Sequence, residues 1–348
     1  MTPPASAARP QEPEPAGSWP RGRAAGTRQR GPERGSRGGL GRAAPPAALG
    51  LVVALLLSVP AWGSGYVVSL VLLTFMYAVL ASSWNLISGF TGYVSFGHAG
   101  FYGIGAYAAG ILLAKRLMAW PAAALVAGLA AVLLALLPGY PALRLRCPYF
   151  AIAMLGLAET VRVAVTAAEP LTGGGKGLTL PPTLNLIPAY YAMGLLAALA
   201  VATTYAVATS PVGLRLLAIR EDEVAAEVVG LRTTVHKLAA FCASAAFAGV
   251  AGGLYAWYVG YIDPVTVFAS GVTVRAIAMT MFGGQGTVWG PVIGAVVLTS
   301  TAEAFWARFP FLHTALFGAL IVAILLFLPG GVTALGQERG WLPRSRRV

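Results

Sequence analysis

Ser210-Pro-Val-Gly-Leu-Arg-Leu-Leu-Ala-Ile-Arg-Glu-Asp-Glu-Val-Ala-Ala-Glu-Val-Val-Gly-Leu-Arg-Thr-Thr-Val-His-Lys237 is a stretch in which charge is dense along an otherwise apolar chain. Between Ala43 and Gly336 there are 20 charged residues, and 8 of them fall in these 28 positions. On both sides the chain runs apolar for membrane-spanning lengths. Charges this concentrated cannot stay in hydrocarbon, so the chain leaves the bilayer here and returns at about Leu238. Ser210 offers a capping hydroxyl, Pro211 suits a first helical turn, and Gly230 suits the residue just past a helix end. The spacing predicts one helix over Val212–Val229, with Thr233 or Thr234 capping the next.

Outward from this loop the chain is 57% hydrophobic and only 10% charged. Lipid cannot satisfy backbone N–H and C=O groups, so spanning segments are helices or closed strands. Runs such as Leu125–Leu137 and Leu316–Leu328 show no alternation of apolar and polar residues, which excludes a barrel. The fold expected is therefore all-α, a polytopic helical membrane protein of about eight to ten transmembrane helices with Gly-rich broken or re-entrant segments. Candidate spans are Pro46–Trp62, Tyr66–Leu86, His98–Ala114, Trp120–Tyr140, Pro148–Ala167, Ala189–Thr209, Leu238–Tyr258, Phe268–Phe282, Val288–Phe305 and Phe311–Leu328. Residues 1–45, rich in Pro, Gly, Ala and Arg, read as a disordered basic arm with at most a weak attraction to anionic lipid. Residues 46–330 form the membrane domain, and 331–348 a basic tail.

With the N-terminus inside, 18 of the 24 Lys and Arg residues fall on the cytoplasmic side and four outside, at Lys115, Arg116, Lys176 and Arg308. That asymmetry places the 210–237 loop and both termini in the cytoplasm of a multi-pass protein. The net charge of +12 does not imply nucleic acid, because the basic residues gather on no recognition motif. Cys147 and Cys242 sit at a turn and within a span, so no disulfide is expected.

Two Gly-rich segments interrupt the spans. One runs from Trp84 to Gly100 and the other from Phe282 to Pro291. Irregular backbone at membrane depth is tolerated where it is buried in protein or lines a wet path. Asn85, Gly89, Gly92, Ser95, Gly97, His98, Gly283, Gly284 and Gly286 are accordingly candidates for a translocation pathway or a structural break. Gly103, Gly105, Ala106 and Gly110 read instead as close helix packing. Glu159 and Arg162, three apart on one helix, form a candidate intramembrane ion pair, and Arg275 could meet Glu303 across a hairpin. Thr172-Gly-Gly-Gly-Lys-Gly lacks the spacing and the Ser/Thr of a phosphate loop. No nucleophile–base pair and no metal-ligand cluster is evident, so enzyme chemistry is unsupported.

Several motifs in order carry a resemblance. They are Asn85-Leu-Ile-Ser-Gly through Gly105-Ala-Tyr, Pro141-Ala-Leu-Arg-Leu-Arg, Thr172-Gly-Gly-Gly-Lys-Gly-Leu, Arg215 through Leu231, Gly249-Val-Ala-Gly-Gly-Leu-Tyr-Ala, and Gly283-Gly-Gln-Gly-Thr-Val-Trp-Gly-Pro. From about Leu51 to Gly330 the chain resembles the branched-chain amino acid ABC importer permeases of the LivM type. The resemblance implies a bacterial inner-membrane importer for hydrophobic amino acids, with urea, short amides or other amino acids as alternative cargo. An ion-coupled carrier is the rival class, and Glu159 its best candidate residue. It implies as partners a LivH-like second permease, two cytoplasmic ABC ATPase subunits that carry the ATP and Mg, and an extracytoplasmic amino-acid-binding protein. It also implies that Arg220, Asp222, Glu223, Ala225, Ala226, Glu227 and Gly230 couple to the ATPase. Ala225, Ala226 and Gly230 keep the family's Glu-Ala-Ala…Gly spacing. Val224, however, stands where the family has an acid, and Glu223 lies one residue early.

Overall fold

The computed structural model describes residues 46–145, 147–181, 186–309, 312–327 and 330–333. The expected basic arm, and all of the expected tail beyond Thr333, lie outside them. Twelve helices of six or more residues carry the architecture: α1 (Pro46–Trp62), α2 (Gly65–Trp84), α3 (His98–Ala114), α4 (Trp120–Ala142), α5 (Cys147–Ala167), α6 (Leu186–Thr209), α7 (Pro211–Glu221), α8 (Glu223–Val228), α9 (Thr233–Val259), α10 (Ser270–Gly283), α11 (Gly290–Arg308) and α12 (His313–Phe327). Among the described residues seven helical segments are long and apolar enough to cross a membrane. They correspond to α2, α4, α5, α6, α9, α10 with the turn before it, and α11. The other three expected spans are shorter helices, α1, α3 and α12. The chain is a polytopic helical membrane protein, as its composition requires.

Small residues decide how these helices meet. A Cβ on Gly105 would collide with the backbone of Gly249, one on Gly252 with the Tyr102 carbonyl, and one on Gly249 with the Ala131 methyl. In lipid no hydrophobic effect drives apolar helices together, so close backbone approach through glycine and alanine supplies the contact. Thus α3, α4 and α9 are zipped into one block. Gly103 and Gly110 work the same way, against the Phe268 ring and Ile262. The outer face of α4 carries exposed Leu125, Leu129, Leu133 and Leu137, the surface that lipid covers.

The two largest hydrophobic clusters are separate. The larger joins α2 to α6 and α9 around Leu72, Tyr107, Phe150 and Phe241. The smaller gathers Ala78, Ala81, Ala278, Met279, Ala295 and Leu298, and so joins α2 to α10 and α11. Helix α2 belongs to both. At the end of the bundle away from the charged segment, a two-residue antiparallel ribbon pairs β1 (Leu178–Thr179) with β2 (Tyr261–Ile262). Its cross-strand partners are Leu178 with Ile262 and Thr179 with Tyr261.

The charged segment departs from expectation at two points. It is not one helix over Val212–Val229, because Asp222 adopts an extended conformation (φ −154°, ψ 107°) and splits it into α7 and α8. The Asp222 side chain accepts from the Ala225 N–H at 3.0 Å, so the break creates its own N-cap. The following helix begins after Arg232, which makes no side-chain cap, rather than being capped by Thr233 or Thr234. The Thr233 hydroxyl donates to Glu223 and Glu227 instead.

Candidate functional site

Helix α7 starts as its sequence dictates: Ser210 Oγ accepts from Gly213 N at 3.4 Å and Pro211 opens the first turn. Helix α8 ends at Gly230, whose φ of +87° favours glycine. The Leu231 N–H reaches the Ala226 carbonyl and the Gly230 N–H that of Glu227, the paired closure typical of a left-handed helix end. On α8 only Ala226 is buried, while Val224, Val228 and Val229 are 71%, 82% and 78% exposed. The valines at α8 therefore point away from the bundle, whereas α7 buries Leu216 and Ile219 against it, and three charges of the segment make contacts back to the bundle.

Those three charges are Arg220, Glu223 and Lys237. Glu223 forms an ion pair with Lys237, whose side chain is 2% exposed. Lys237 also donates to the Leu143 carbonyl at 2.9 Å and to Tyr93 Oη at 3.0 Å, and lies 4.3 Å from the Tyr93 ring centroid. Tyr93 Oη in turn donates to Glu223 at 2.5 Å. Burial alone would raise the Glu223 carboxyl, but hydrogen bonds from Lys237 and Tyr93 outweigh it and hold the group below the ordinary value of 4.5. Asp222 serves as the cap described above. Glu227 accepts from Thr233 at 2.6 Å.

Arg220 reaches further, to the Gly-rich segments. Its Nη1 donates to the Gly89 carbonyl at 2.7 Å. Asn85 to Gly89 form a π-helical turn at the end of α2, the widened geometry that frees backbone groups for other partners. Asn85 Nδ2 donates to the Thr287 carbonyl and its Oδ1 accepts from Gly286 N, both at 2.8 Å. Gln285 donates to the Ser88 carbonyl at 2.8 Å. Two segments nearly 200 residues apart are thus tied into one knot, with Arg220 on it. Gly92 packs against the Arg220 side chain, while Gly283 and Gly290 touch backbone to backbone so that α10 and α11 can meet. Gly284 (φ +123°) adopts a conformation that strains an L side chain, and a Cβ there would strike Thr333. Ser95 accepts from the Trp84 indole through its carbonyl, and Gly97 lies against the Met154 backbone. His98 is fully buried, 2.8 Å from Ser244 Oγ, and joins α3 to α9.

None of these pathway candidates lines the cavity. That space, about 500 Å³, opens at the other end of the bundle, between the two hydrophobic clusters. Its walls include Leu70, Leu73, Met76 and Tyr77 of α2, Tyr102 of α3, Tyr255 of α9, Arg275 and Met279 of α10, and Glu303 of α11. Arg275 and Glu303 do not form the ion pair expected of them. Arg275 Nη1 donates to Tyr77 Oη at 2.8 Å, and Tyr66 Oη donates to Glu303 at 2.6 Å. Each charge is taken by a tyrosine of α2 before it can reach the other. The expected Glu159–Arg162 pair does form, on an outward face. Sequence reading missed the cavity, although Tyr66 and Tyr77, eleven residues apart and so on one face of α2, were a legible signal. Among the described residues no cluster of His, Cys, Asp or Glu could hold a metal ion.

A family model described as the branched-chain amino acid transport system permease component matches residues 66–328. The chain is 30% identical over 322 residues to the high-affinity branched-chain amino acid transport system permease protein LivM of Escherichia coli (strain K12), covering 83% of this chain and 75% of that protein. It is 26% identical over 286 residues to LivH of the same strain, covering 74% and 90%. The autoinducer 2 import system permease protein LsrC of Photorhabdus laumondii is 30% identical over a shorter stretch of 166 residues, 44% of this chain and 46% of that protein. No solved structure matches.

Proposed function

The chain belongs to the branched-chain amino acid transport system permease family, and we propose that it imports branched-chain amino acids across a bacterial inner membrane as one half of a permease pair. Its partner is a LivH-like permease. Two cytoplasmic ABC ATPases bind ATP and Mg²⁺ and dock on α7 and α8, and an extracytoplasmic binding protein delivers cargo to the ribbon end. Both termini lie in the cytoplasm.

The observation that carries this reading is the two-sided charged segment. Its exposed valines give a soluble partner an apolar surface, and exposed apolar patches of this kind mark interaction sites. Its Arg220 and Glu223 grip the bundle from below. A push on α7 and α8 is therefore delivered through Arg220 of α7 to the knot of Asn85, Gly89 and Gly286, the place where a cytoplasmic gate would open. Arg220 and Glu223 thus couple by transmission, and Val224, Val228 and Val229 by contact. The spans then alternate between two states whose balance nucleotide sets.

The test is uptake of radiolabelled L-leucine by the four-subunit complex in proteoliposomes supplied with binding protein. Uptake should require internal ATP and survive collapse of proton and sodium gradients. Uptake that stops with the gradient and ignores ATP would overturn the assignment in favour of an ion-coupled carrier.

A further inference from the structure

The cavity holds two charges that the coupling machinery does not use. Arg275 and Glu303 lie within the span-length helices α10 and α11, where an ionisable side chain is costly and ordinarily finds an opposite charge. They line the same space and carry opposite signs, yet each is hydrogen-bonded to a tyrosine hydroxyl, which neutralises neither charge. Glu159 and Arg162 show what this chain does when the aim is only to cancel charge: the two sit one helical turn apart and pair directly.

The spacing of the two charges follows from the hairpin. Gly283 packs on Gly290 and Gly294 on Met279, so α10 and α11 run antiparallel in a register that sets Glu303 level with Ser270. Glu303 is then five residues nearer the ribbon end than Arg275, about 7 Å along the helix axis. The two side chains therefore reach the cavity from adjacent helices at different depths. Around the charges the wall is aliphatic and aromatic, with Leu70, Leu73, Met76 and Met279 on one side and the Phe317 ring 5.8 Å from the Arg275 guanidinium on the other. A mostly apolar cavity of this size with a few convergent polar groups is the general form of a small-ligand site.

We propose that this cavity is the solute site, taking an L-amino acid with an aliphatic side chain as its zwitterion, the carboxylate on Arg275 and the ammonium on Glu303. Tyr77 and Tyr66 hold the two side chains open in its absence, and the cargo supplies the counter-charges that the protein withholds. The proposal rests on the importer reading above and adds to it a rule of selection. Both charged groups of the cargo are required, which favours amino acids over urea or simple amides.

Its test compares probes and variants in the same reconstituted complex. For the wild type, inhibition of labelled L-leucine uptake should be strong with L-isoleucine. Leucinamide, which lacks the carboxylate, and 4-methylpentanoate, which lacks the ammonium, should inhibit at least about tenfold more weakly, as loss of one charge-assisted hydrogen bond implies. Because the binding protein makes its own selection, the comparison is repeated with solute efflux from vesicles lacking it. Arg275→Met and Glu303→Gln should each lower uptake about tenfold or more while the complex assembles and its ATPase still responds to binding protein. Arg275→Lys should recover part of the loss. Equal inhibition by all three probes, or variants that transport within about twofold of wild type, would overturn the site and leave the importer reading standing. If wild-type uptake ignores ATP, the importer reading fails first.

Discussion

The two ends of this bundle are built on opposite principles. At the charged end, side chains and backbone groups from the two Gly-rich segments meet and satisfy one another: Asn85 bonds Gly286 and Thr287, Gln285 bonds Ser88, and Arg220 bonds Gly89. At the ribbon end Arg275 and Glu303 face a cavity, and the chain does not let them meet. A closed polar knot excludes water and cargo, whereas an open polar cavity invites both. On the importer reading proposed above, a bundle knotted at the charged end and open at the ribbon end corresponds to one of the two states that alternating access requires.

Opening the knot should produce the largest effect. Asn85→Leu removes two hydrogen bonds and leaves the half-buried Gly286 N–H and Thr287 carbonyl without that partner, at about 1 kcal/mol for each group. Measured in proteoliposomes, ATP hydrolysis should continue while leucine accumulation falls about tenfold or more. Wild-type accumulation would show that the knot is not the seal. The second effect is on the link beneath it. Glu223→Gln strands the Lys237 charge, a loss of 3–5 kcal/mol for a fully buried pair and about 2 kcal/mol here because Glu223 keeps 30% of its side chain exposed. The double variant Glu223→Gln with Lys237→Met should recover most of the thermal stability that the single variant loses in detergent.

The same pair should register in acid. Because the folded state holds Glu223 below 4.5, its stabilising contribution is complete above pH 4.5 and is lost as pH falls through the folded-state value. Comparing the wild type with Glu223→Gln should show their acid unfolding curves converging below that pH. Next in size, Gly230→Val forces a β-branched residue to φ +87° and should cost about 1–3 kcal/mol. The space around Gly230 is open, so the cost is in the backbone and not in crowding. The smallest effect should be at Glu159 and Arg162. That pair is exposed and three residues apart, and Glu159→Gln should leave both stability and uptake unchanged. A clear loss of uptake there would revive an ion-coupling role for Glu159.

How far the sequence foretold these two ends differs for a physical reason. Glycine, proline and clustered charge act locally, so the helix start at Ser210, the helix end at Gly230 and both Gly-rich breaks were legible as strings. The split at Asp222 was not, since the residues around it read equally well as continuous helix and the deciding event is one side chain folding back on Ala225. Lys237 read as the last charge before the chain re-enters the bilayer, but Tyr93 and Leu143 come from distant parts of the chain to bury it beside Glu223. The cavity was harder still. Its walls come from distant helices, and Leu70, Met76 or Thr299 alone carry no mark of a binding surface. Only the pairing of Tyr66 and Tyr77 on α2 with unmatched charges on α10 and α11 hinted at it.

The short ribbon between Thr179 and Tyr261 has a mechanical corollary. It stitches the stretch after α5 to the end of α9, and so to the glycine-zipped block of α3, α4 and α9, which then behaves as a door frame. On the alternating-access reading proposed above, α10 to α12, joined to α2 by the smaller apolar nucleus, are the panel that would swing. Helix α2, shared by both nuclei, is left as the jamb on which that panel turns.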